Sequence, residues 1–344
     1  MIAMSGGVDS SVAAALTPGE RIGVAMRLYS VPEDEIRSGR TCCAPDDLYD
    51  ARRAAAVLGI RFYVYDAQER FREQVIEPFI GAYARGETPN PCVRCNDHVK
   101  FDWLLDRALR LGADELVTGH YARVEREGDA WVLKRATDAG KDQSYFLHGL
   151  TQVELARVRF PLGQMTKVQV RAIARERSLP NADKPESMEV CFVGDAKLPD
   201  FLEAHGVGAT RGEVVDVEGR VLGEHDGVHR FTVGQRKGLG LSHPLPLYVG
   251  SLDAATQRVV VGTREEVSRI AFRADDASWV ASPPEPGSRC EVQIRHRGKP
   301  LAATVESSGT AVSVTLLEPA VGVAKGQSAV FYRGDSVLGG ARII

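Results

Sequence analysis

The sequence lacks any apolar run that approaches the ~20 residues needed to cross a membrane, and its first residues do not resemble a signal peptide. It also lacks an excess of basic charge, because 43 Lys and Arg oppose 46 Asp and Glu. A polyanion would therefore have to bind at local basic patches. Cysteine is scarce, with six in 344 residues, which in a cytoplasmic chain favours reactive or metal-binding thiols over structural disulfides. We expect a cytoplasmic protein without a membrane segment.

A glycine loop near the amino terminus lacks the lysine of the common phosphate-binding loop. Its residues, "SGGVDSS" (5–11), lie between a short apolar strand and a helix. Gly6 and Gly7 allow a tight turn close to an anion, and the N–H groups of the following helix point to the same place. The pattern G-x-x-x-x-G-K-[ST] is absent. Asp9 alone would repel a phosphate, so it suggests either a nearby magnesium ion or a capping role.

The order of predicted elements divides the chain into three parts. Short apolar strands alternate with helices at first, which is typical of a parallel sheet covered on both faces, and short strands with Gly and Asp turns follow. We predict an α/β domain over 1–203, a small β-rich connector over 204–268 and a carboxy-terminal β-barrel over 269–344.

Local patterns predict individual elements within these parts. Thr166 and Gln169 have the spacing of a helix capping box, and "ADELVTGHYA" (113–122) has the composition of a strand. Three segments have the pattern of hairpins, namely 122–137, 211–225 and 247–262.

Two cysteines stand in a C-x-x-C spacing, Cys92 and Cys95 in "TPNPCVRCNDHVKF". The spacing alone is compatible with half a zinc site, a redox pair, ligands of an iron–sulfur cluster or two inert thiols. A zinc site would need two further ligands, for which Cys42, Cys43 and His98 are candidates.

A third cysteine, Cys191 in "VCFVG", suggests another use for these thiols. Beside a loop that binds phosphate, a nucleophilic sulfur could displace an activating group from a carbonyl carbon. Such a thiolate needs a lowered pKa, and Arg94 and Lys100 are local cations that could lower it.

The loop resembles the S-G-G-x-D-S pyrophosphate loop of the ATP pyrophosphatases, which attach AMP to a substrate oxygen. Longer segments, among them "TPNPCVRCNDHVKF", "KDQSYFL", "FTVGQRKGLG" and "VLGGARI", resemble the bacterial tRNA-specific 2-thiouridylases. This resemblance implies a Rossmann-like (HUP) first domain. It also implies an enzyme that adenylates the C2 oxygen of the wobble uridine of tRNA and transfers sulfur to C2, giving 2-thiouridine, AMP and pyrophosphate.

The resemblance assigns catalytic and nucleotide-binding residues by their motifs. Cys95 matches the family's nucleophile, and Cys191 matches the cysteine that carries sulfur as a persulfide. The positions that match ATP-binding residues are Ala3, Met4, Ser5, Gly6, Gly7, Val8, Asp9, Ser10, Met26 and Gly119.

Further positions match residues that meet RNA. The family's stretch that meets the target base is matched by Asn90, Pro91 and Cys92. Its other tRNA-contacting positions are matched by His120, Lys141, Asp142, Gln143, Arg295, His296 and Gln327. The chain departs from the family at two of these positions. Cys92 stands where an aspartate is common, and His296 stands where a tyrosine is common.

The resemblance also implies cofactors and partners. ATP and Mg²⁺ are expected, with tRNA and a sulfur-donor protein as partners of a monomer. Two routes of sulfur transfer remain open. One uses the Cys191 persulfide, and the other uses a 4Fe–4S cluster ligated by Cys92, Cys95 and Cys191. Basic clusters such as "GQRKG" and "IRHRGK" are candidates for binding tRNA phosphates.

Two other functions fit part of the sequence. A synthetase of the ATP-pyrophosphatase class that acts on a small metabolite would explain the loop, but it would leave Cys95 and Cys191 without a role. A non-catalytic RNA-binding or zinc-binding adaptor would explain the β domains, but the intact "SGGVDS" loop argues against it.

Overall fold

The structure is a computed structural model that describes residues 1–29, 45–186, 190–194 and 196–344. Its contacts divide the chain into two compact units. The first comprises 1–76, 91–195 and 335–337, and the second comprises 77–90, 196–334 and 338–344. No helix in the described ranges combines the length and apolar character needed to cross a membrane.

The first unit is built on a parallel sheet. In chain order the strands of this unit are β1 (Ile2–Ala3), β2 (Ile22–Arg27), β3 (Arg61–Asp66), β4 (Leu116–Val117), β5 (Ala122–Glu127), β6 (Ala130–Arg135) and β7 (Val158–Arg159). The strands β5 and β6 form an antiparallel hairpin and do not belong to the parallel sheet. The sheet has the order β3-β2-β1-β4-β7 in the described part of the chain, and its pairings are parallel. The strand order therefore reverses at β1, which places a crevice outside the carboxyl ends of β1 and β4.

Helices follow these strands as the sequence predicts. They are α1 (Val8–Leu16), α2 (Pro45–Val57), α3 (Gln68–Phe71), α4 (Glu77–Ala84), α5 (Pro91–Cys95), α6 (Leu105–Arg110), α7 (Gln152–Leu155) and α8 (Lys167–Glu176), with a 3₁₀-helix at Ser144–Leu147. Two stretches, Arg72–Ile76 and Asn96–Leu104, are π-helical. The predicted capping box is present at the start of α8. Of these helices, α4 belongs to the second unit.

The core of the first unit explains why the sequence adopts this arrangement. Small residues on α1 and α2 pack against the sheet, and Ala13, Ala14, Ala51 and Ala54 are fully buried. Because alanine has a short side chain, the helices approach the strands closely, and this fixes the turn that joins β1 to α1 beneath the crevice.

The predicted strand over 113–122 is much shorter than expected. Only Leu116–Val117 pairs in the sheet, and β5 begins at Ala122 after a bend. A Cβ atom at Gly119 would lie 2.7 Å from the amide nitrogen of Ser10, so the chain leaves the sheet here to pass directly over the start of α1.

The second unit contains two β structures, both inside the fully described range 196–344. A smaller sheet has the order β10-β11-β8-β9, with the predicted hairpins at β8–β9 and β10–β11, and with β8 and β11 joined in parallel. Its elements are α9 (Leu198–Ala204), β8 (Gly212–Val215), β9 (Val221–His225), a 3₁₀-helix (Val228–Arg230), β10 (Tyr248–Asp253), β11 (Arg258–Gly262) and α10 (Arg264–Val267).

The last strands form a closed barrel, as predicted. They are β12 (Arg269–Trp279), β13 (Ser288–Gln293), β14 (Leu301–Ser308), β15 (Ala311–Ala320), β16 (Ser328–Arg333) and β17 (Ser336–Ile343). Their order is β12-β15-β14-β13-β16-β17, and β17 pairs back to β12. Alternate residues from Ala311 to Leu316 of β15 are buried, which is the period expected for strands with one face in a barrel core.

Candidate active site

The residues assigned to ATP lie where the parallel strands of the first unit end. The glycine loop follows β1, Met26 lies at the end of β2, and Gly119 follows β4. Because the carboxyl ends of parallel strands share one edge of the sheet, these three segments come to the same crevice at the switch point. The structure thus brings together residues that are more than one hundred positions apart in sequence.

The glycine loop is enclosed by main chain on two sides. Gly6 has φ +79°, and a Cβ atom there would clash with the carbonyl oxygen of Asp47 on α2. Gly119 passes over Ser10 from the other side. The N-cap residue of α1 is Gly7, which has no side chain to occupy the first amides of the helix. These amides are the donors that an anion would use.

Asn181 supports the loop through its side chain, and no motif in the sequence marked this residue. Its side-chain amide donates to the carbonyl oxygen of Gly6 and to the hydroxyl of Ser11, both at 2.9 Å. Asn181 is 3% exposed, so these bonds lie in a region of low dielectric where they are strong. They fix the backbone of the loop in its left-handed turn.

Asp9 is not a helix cap, although capping was one of its two predicted roles. It lies in the first turn of α1, and both of its carboxylate oxygens accept from the Lys167 ammonium, at 2.7 and 2.8 Å. The Tyr121 hydroxyl also donates to Asp9, at 2.8 Å. Burial, and then the negative charge of Asp9, raise the pKa of Tyr121, so this phenol remains a hydrogen-bond donor.

Glu186 joins two lysines at this site. Its carboxylate lies 2.9 Å from Lys167 Nζ and 2.5 Å from Lys141 Nζ. Burial alone would raise the pKa of Glu186, but the bonds from Lys141 and Lys167 outweigh it and lower the pKa to about 2. Glu186 is therefore ionised at any working pH, and it links a residue assigned to tRNA with the ATP loop.

The other residues of the "GHYA" and "KDQS" motifs form internal hydrogen bonds. Gln143 accepts from the Tyr121 amide at 2.9 Å, and Asp142 accepts from the amide and the hydroxyl of Ser144. His120 Nδ1 lies 2.6 Å from the Thr118 hydroxyl, and burial, followed by the charge of Lys100, lowers its pKa well below the usual value. His120 is therefore neutral at physiological pH.

Cys95 lies at a change of helix type. It ends the short helix α5, and the π-helical stretch Asn96–Leu104 begins with the next residue. Cys95 is buried, and Asn96 next to it donates to the Phe146 carbonyl at 3.0 Å and accepts from Lys100 at 2.9 Å. π-Helical turns are frequent at functional sites, and this one fixes the orientation of the residues that follow the thiol.

The segment that carries Cys191 docks on side chains from the sheet edge. The Tyr29 hydroxyl donates to the Cys191 carbonyl at 2.6 Å. The Phe192 ring meets the Phe71 ring edge-on at 5.7 Å, and Phe71 is fully buried. Tyr29 follows β2 and Phe71 lies after β3, so this segment lies at the same edge of the sheet as the glycine loop.

Both cysteine segments contact one helical stretch, Gln68–Ile76. Phe71 contacts the Cys191 segment, and the Gln74 carbonyl, three residues later, accepts from Arg94 Nε at 2.7 Å. Arg94 is the residue before Cys95. The two thiols assigned to sulfur transfer are therefore on segments held by neighbouring turns of the same element.

The three cysteines do not fit a cluster site in the described residues. Cys92 is exposed, Cys95 is buried and Cys191 is half-buried, and no group of three Cys, His, Asp or Glu side chains is placed to hold a metal ion in the described ranges. Cys42 and Cys43, named above as candidate zinc ligands, lie outside the described residues.

The second unit contains the remaining tRNA assignments. Gln327 Nε2 donates to the Thr88 carbonyl at 2.7 Å, and the Thr88 amide donates to the Lys325 carbonyl. This fixes the chain two residues before Asn90, the first residue assigned to the target base. Arg295 is exposed and His296 half-buried in the loop between β13 and β14.

Comparison with protein families covers nearly the whole chain. Residues 1–195 match the family model described as the tRNA methyl transferase HUP domain, 199–263 match the tRNA methyl transferase PRC-barrel domain, and 269–343 match the aminomethyltransferase beta-barrel domain. A solved structure, the U34-tRNA thiolase NcsA from Methanococcus maripaludis with its [4Fe-4S] cluster, is 15% identical at a TM-score of 0.33 over 59% of this chain and 62% of that chain. That likeness is too low to support an argument about this site.

Similar curated proteins share one name, tRNA-specific 2-thiouridylase MnmA. The protein from Geobacter metallireducens is 50% identical and that from Acidothermus cellulolyticus 49% identical, each aligned over 100% of this chain and 96% of the relative. The protein from Acidobacterium capsulatum is 46% identical over 100% of this chain and 98% of the relative. With this identity over the full length, and with the glycine loop and two thiol segments at one sheet edge, the chain belongs to the tRNA-specific 2-thiouridylase family.

Proposed function

We propose that this chain is an ATP-dependent tRNA-uridine 2-sulfurtransferase in which Cys95 and Cys191 carry out the sulfur transfer. The observation that supports these roles most directly is the shared contact of both cysteine segments with Gln68–Ile76, at the sheet edge that also bears the glycine loop. The three proposed domains keep the limits predicted above, 1–203, 204–268 and 269–344.

In the first step the C2 oxygen of the wobble uridine attacks the α-phosphate of ATP, and pyrophosphate leaves. The amides at the start of α1 would stabilise the charge that develops on the leaving group. The carboxylate of Asp9 is a suitable oxygen ligand for Mg²⁺, which would supply further positive charge at the phosphates. Met26 and Gly119 would contact the adenosine.

The base is proposed to meet Asn90, Pro91 and Cys92 before the chemistry begins. Loops of RNA present unstacked bases at low cost, and the protein would take the wobble base out of its stack to reach a closed site. The tRNA contacts proposed for His120, Lys141, Asp142, Gln143, Arg295, His296 and Gln327 would position the RNA. A cysteine at position 92 cannot act as a carboxylate acid–base group.

Sulfur then replaces the adenylated oxygen. The terminal sulfur of a Cys191 persulfide attacks C2 and AMP leaves, after which the Cys95 thiolate attacks Sγ of Cys191 and frees the thiolated base. Alternatively, Cys95 attacks the persulfide first and releases hydrosulfide, which attacks C2. Both routes end in a Cys95–Cys191 disulfide that a reductant must open. Because the described thiols do not converge as cluster ligands, no step is assigned to an iron–sulfur cluster.

The proposal includes partners beyond tRNA. A sulfur-donor protein would load Cys191, and the enzyme would act as a cytoplasmic monomer.

The test is thiolation of tRNA by the full chain with ATP, Mg²⁺ and a persulfide donor, with nucleosides analysed by mass spectrometry. We expect the wild-type chain to form 2-thiouridine together with AMP, and Cys191→Ser and Cys95→Ser to form none. Cys290→Ser is the matched control, because burial raises the pKa of this barrel thiol to about 11 and makes it unreactive.

Three outcomes would contradict the proposal. Thiolation that persists in Cys191→Ser would remove the persulfide role. AMP formation that requires a small metabolite and no tRNA would instead identify a metabolite synthetase, and the absence of any AMP formation would favour a binding protein.

A further inference from the structure

The glycine loop lacks a lysine, but the fold brings one to it from another part of the chain. We propose that Lys167, the first residue of α8, binds the phosphates of ATP in place of the absent loop lysine, and that Glu186 positions it. This inference rests on the proposed use of ATP, and it gives a role to two residues to which the motif resemblance assigns none.

The position of the ammonium group is the first argument. Lys167 Nζ lies 2.7 and 2.8 Å from the two oxygens of Asp9, and Asp9 is the second residue of α1. An anion bound by the first amides of α1 is therefore next to this ammonium. Lysine is a flexible point charge with three donors, so it can keep one bond to Asp9 and form another to a phosphate oxygen.

The burial of Lys167 is the second argument. Its side chain is 11% exposed, and a buried cation is costly unless it is paired. A single carboxylate would neutralise it, but the structure provides two, Asp9 and Glu186. With two carboxylates, Lys167 remains paired and correctly placed if one of them turns to another ligand.

Glu186 is placed to keep the lysine in position. Its Oε1 atom lies 2.9 Å from Lys167 Nζ and its Oε2 atom lies 2.5 Å from Lys141 Nζ, so each carboxylate oxygen is held by one lysine. When Asp9 turns toward Mg²⁺ or another ligand, Glu186 still keeps Lys167 beside the loop. This makes Glu186 a positioning residue, because it acts on ATP only through Lys167.

The experiment compares the affinities of full-length variants for ATP and for AMP by calorimetry. We expect Lys167→Met to weaken ATP binding by about tenfold or more, which is the usual effect of losing a hydrogen bond to a charged group. AMP lacks the β- and γ-phosphates, so its affinity should change at most about twofold. Lys167→Arg should restore part of the ATP affinity, because it keeps a cation.

Lys134→Met is the matched control. Lys134 is also a lysine of the first unit between two carboxylates, Glu125 and Glu127, and its side chain is 13% exposed, but it lies in the β5–β6 hairpin. This variant should bind ATP as the wild type does. Equal ATP affinities of Lys167→Met and wild type would overturn the proposal, and so would an equal loss for ATP and AMP.

Glu186→Gln tests the positioning role. It should weaken ATP binding several-fold and leave AMP binding unchanged. If Glu186 only competed with phosphate for Lys167, the variant would bind ATP more tightly, and that result, or no change, would contradict the role.

A measurement on the wild-type chain removes any dependence on the folding of variants. ATP should protect Lys167 from acetylation by a water-soluble reagent, read by peptide mass spectrometry, whereas AMP should not. Equal labelling in the presence of ATP and AMP would refute the inference. A failure of the proposed function can be distinguished from a failure of this inference. In the former case the wild-type chain would form neither AMP nor 2-thiouridine.

Discussion

Asp97, two residues after the proposed nucleophile, is a buried carboxyl group that the sequence did not mark. Its side chain packs against the backbone of Gly149, and its Oδ1 has no hydrogen-bond partner within the described ranges. Burial raises its pKa to about 7, with Arg94 opposing the rise and Glu154 adding to it. The native protein therefore keeps Asp97 protonated at mildly acidic pH, where the unfolded chain would ionise it.

This raised pKa predicts a pH dependence of stability. Between the unfolded pKa of 3.8 and the folded pKa of about 7, the native state binds more protons than the unfolded chain. The contribution of Asp97 to the free energy of unfolding is therefore largest below pH 3.8, and it is lost as pH rises to about 7. Replacing Asp97 by Asn should remove the fall, which amounts to roughly 2–3 kcal/mol between pH 5 and pH 8. Urea denaturation of both proteins at the two pH values measures it.

Asp102→Asn is the control for this prediction. Asp102 lies on the same helical stretch but is 60% exposed and paired with Arg70. This variant should keep the wild-type dependence on pH. If Asp97→Asn and wild type lost stability in parallel from pH 5 to pH 8, the carboxyl of Asp97 would not be the titrating group.

At the scale of single elements, the start of α8 joins stability to the proposed nucleotide site. Thr166 caps the helix, with its amide bonded to the Gln169 side chain at 2.8 Å and its hydroxyl accepting from the Gln169 amide at 3.3 Å. Lys167 is the next residue. Thr166→Ala should cost about 1 kcal/mol of stability and should also weaken ATP binding, because the first turn that carries Lys167 loses its cap. Denaturation and ATP titration measure the two effects.

Thr263→Ala tests whether these two effects can be separated. Thr263 forms the same capping box with Glu266 at the start of α10, directly after β11 in the second unit. A loss of stability similar to that of Thr166→Ala is expected, with unchanged ATP affinity. Weaker ATP binding in Thr263→Ala would show that any loss of a helix cap disturbs the nucleotide site.

Local patterns in the sequence predicted many of the elements. The glycine loop, the capping box of α8 and the three hairpins depend on residues close in sequence, so their signals are visible in short windows. The ion pair of Asp9 with Lys167 joins residues 158 positions apart, and no local pattern contains it. The π-helical stretches Arg72–Ile76 and Asn96–Leu104 depend on tertiary packing around the helices, so a helical period could not distinguish them from α-helix.

At the scale of the whole molecule, the near balance of charge makes the basic loop of the barrel the clearest candidate for tRNA phosphate contact. Arg295, Arg297 and Lys299 are all exposed in the loop between β13 and β14. Arg295→Ala should weaken tRNA binding several-fold at physiological salt and lower the slope of log affinity against log salt by about 1. ATP binding should not change. Filter binding of tRNA over a salt series measures this.

Arg342→Ala is the control on the same barrel. Arg342 is half-exposed but already paired with Asp276 at 3.0 Å, so it contributes little free positive charge. Its tRNA affinity and salt slope should equal those of the wild type. Equal slopes for Arg295→Ala and wild type would remove the barrel loop from the tRNA-binding surface.

The long-range pairing of the second unit also lay beyond sequence patterns. Hairpins β8–β9 and β10–β11 were visible, but the parallel pairing of β8 with β11 joins strands separated by more than forty residues. Parallel pairs of this kind need a crossover connection, and alternation of polar and apolar residues does not indicate which strands will meet.

The main-chain walls around Gly6 and Gly119 limit how the enzyme could be redesigned. At both positions only a hydrogen atom fits, against Asp47 on one side and Ser10 on the other. A protein engineer who wished to change the preferred nucleotide could not reshape the phosphate end by substitutions at these two glycines. Such work would begin at Met26, the proposed adenosine contact, and leave the glycine loop unchanged.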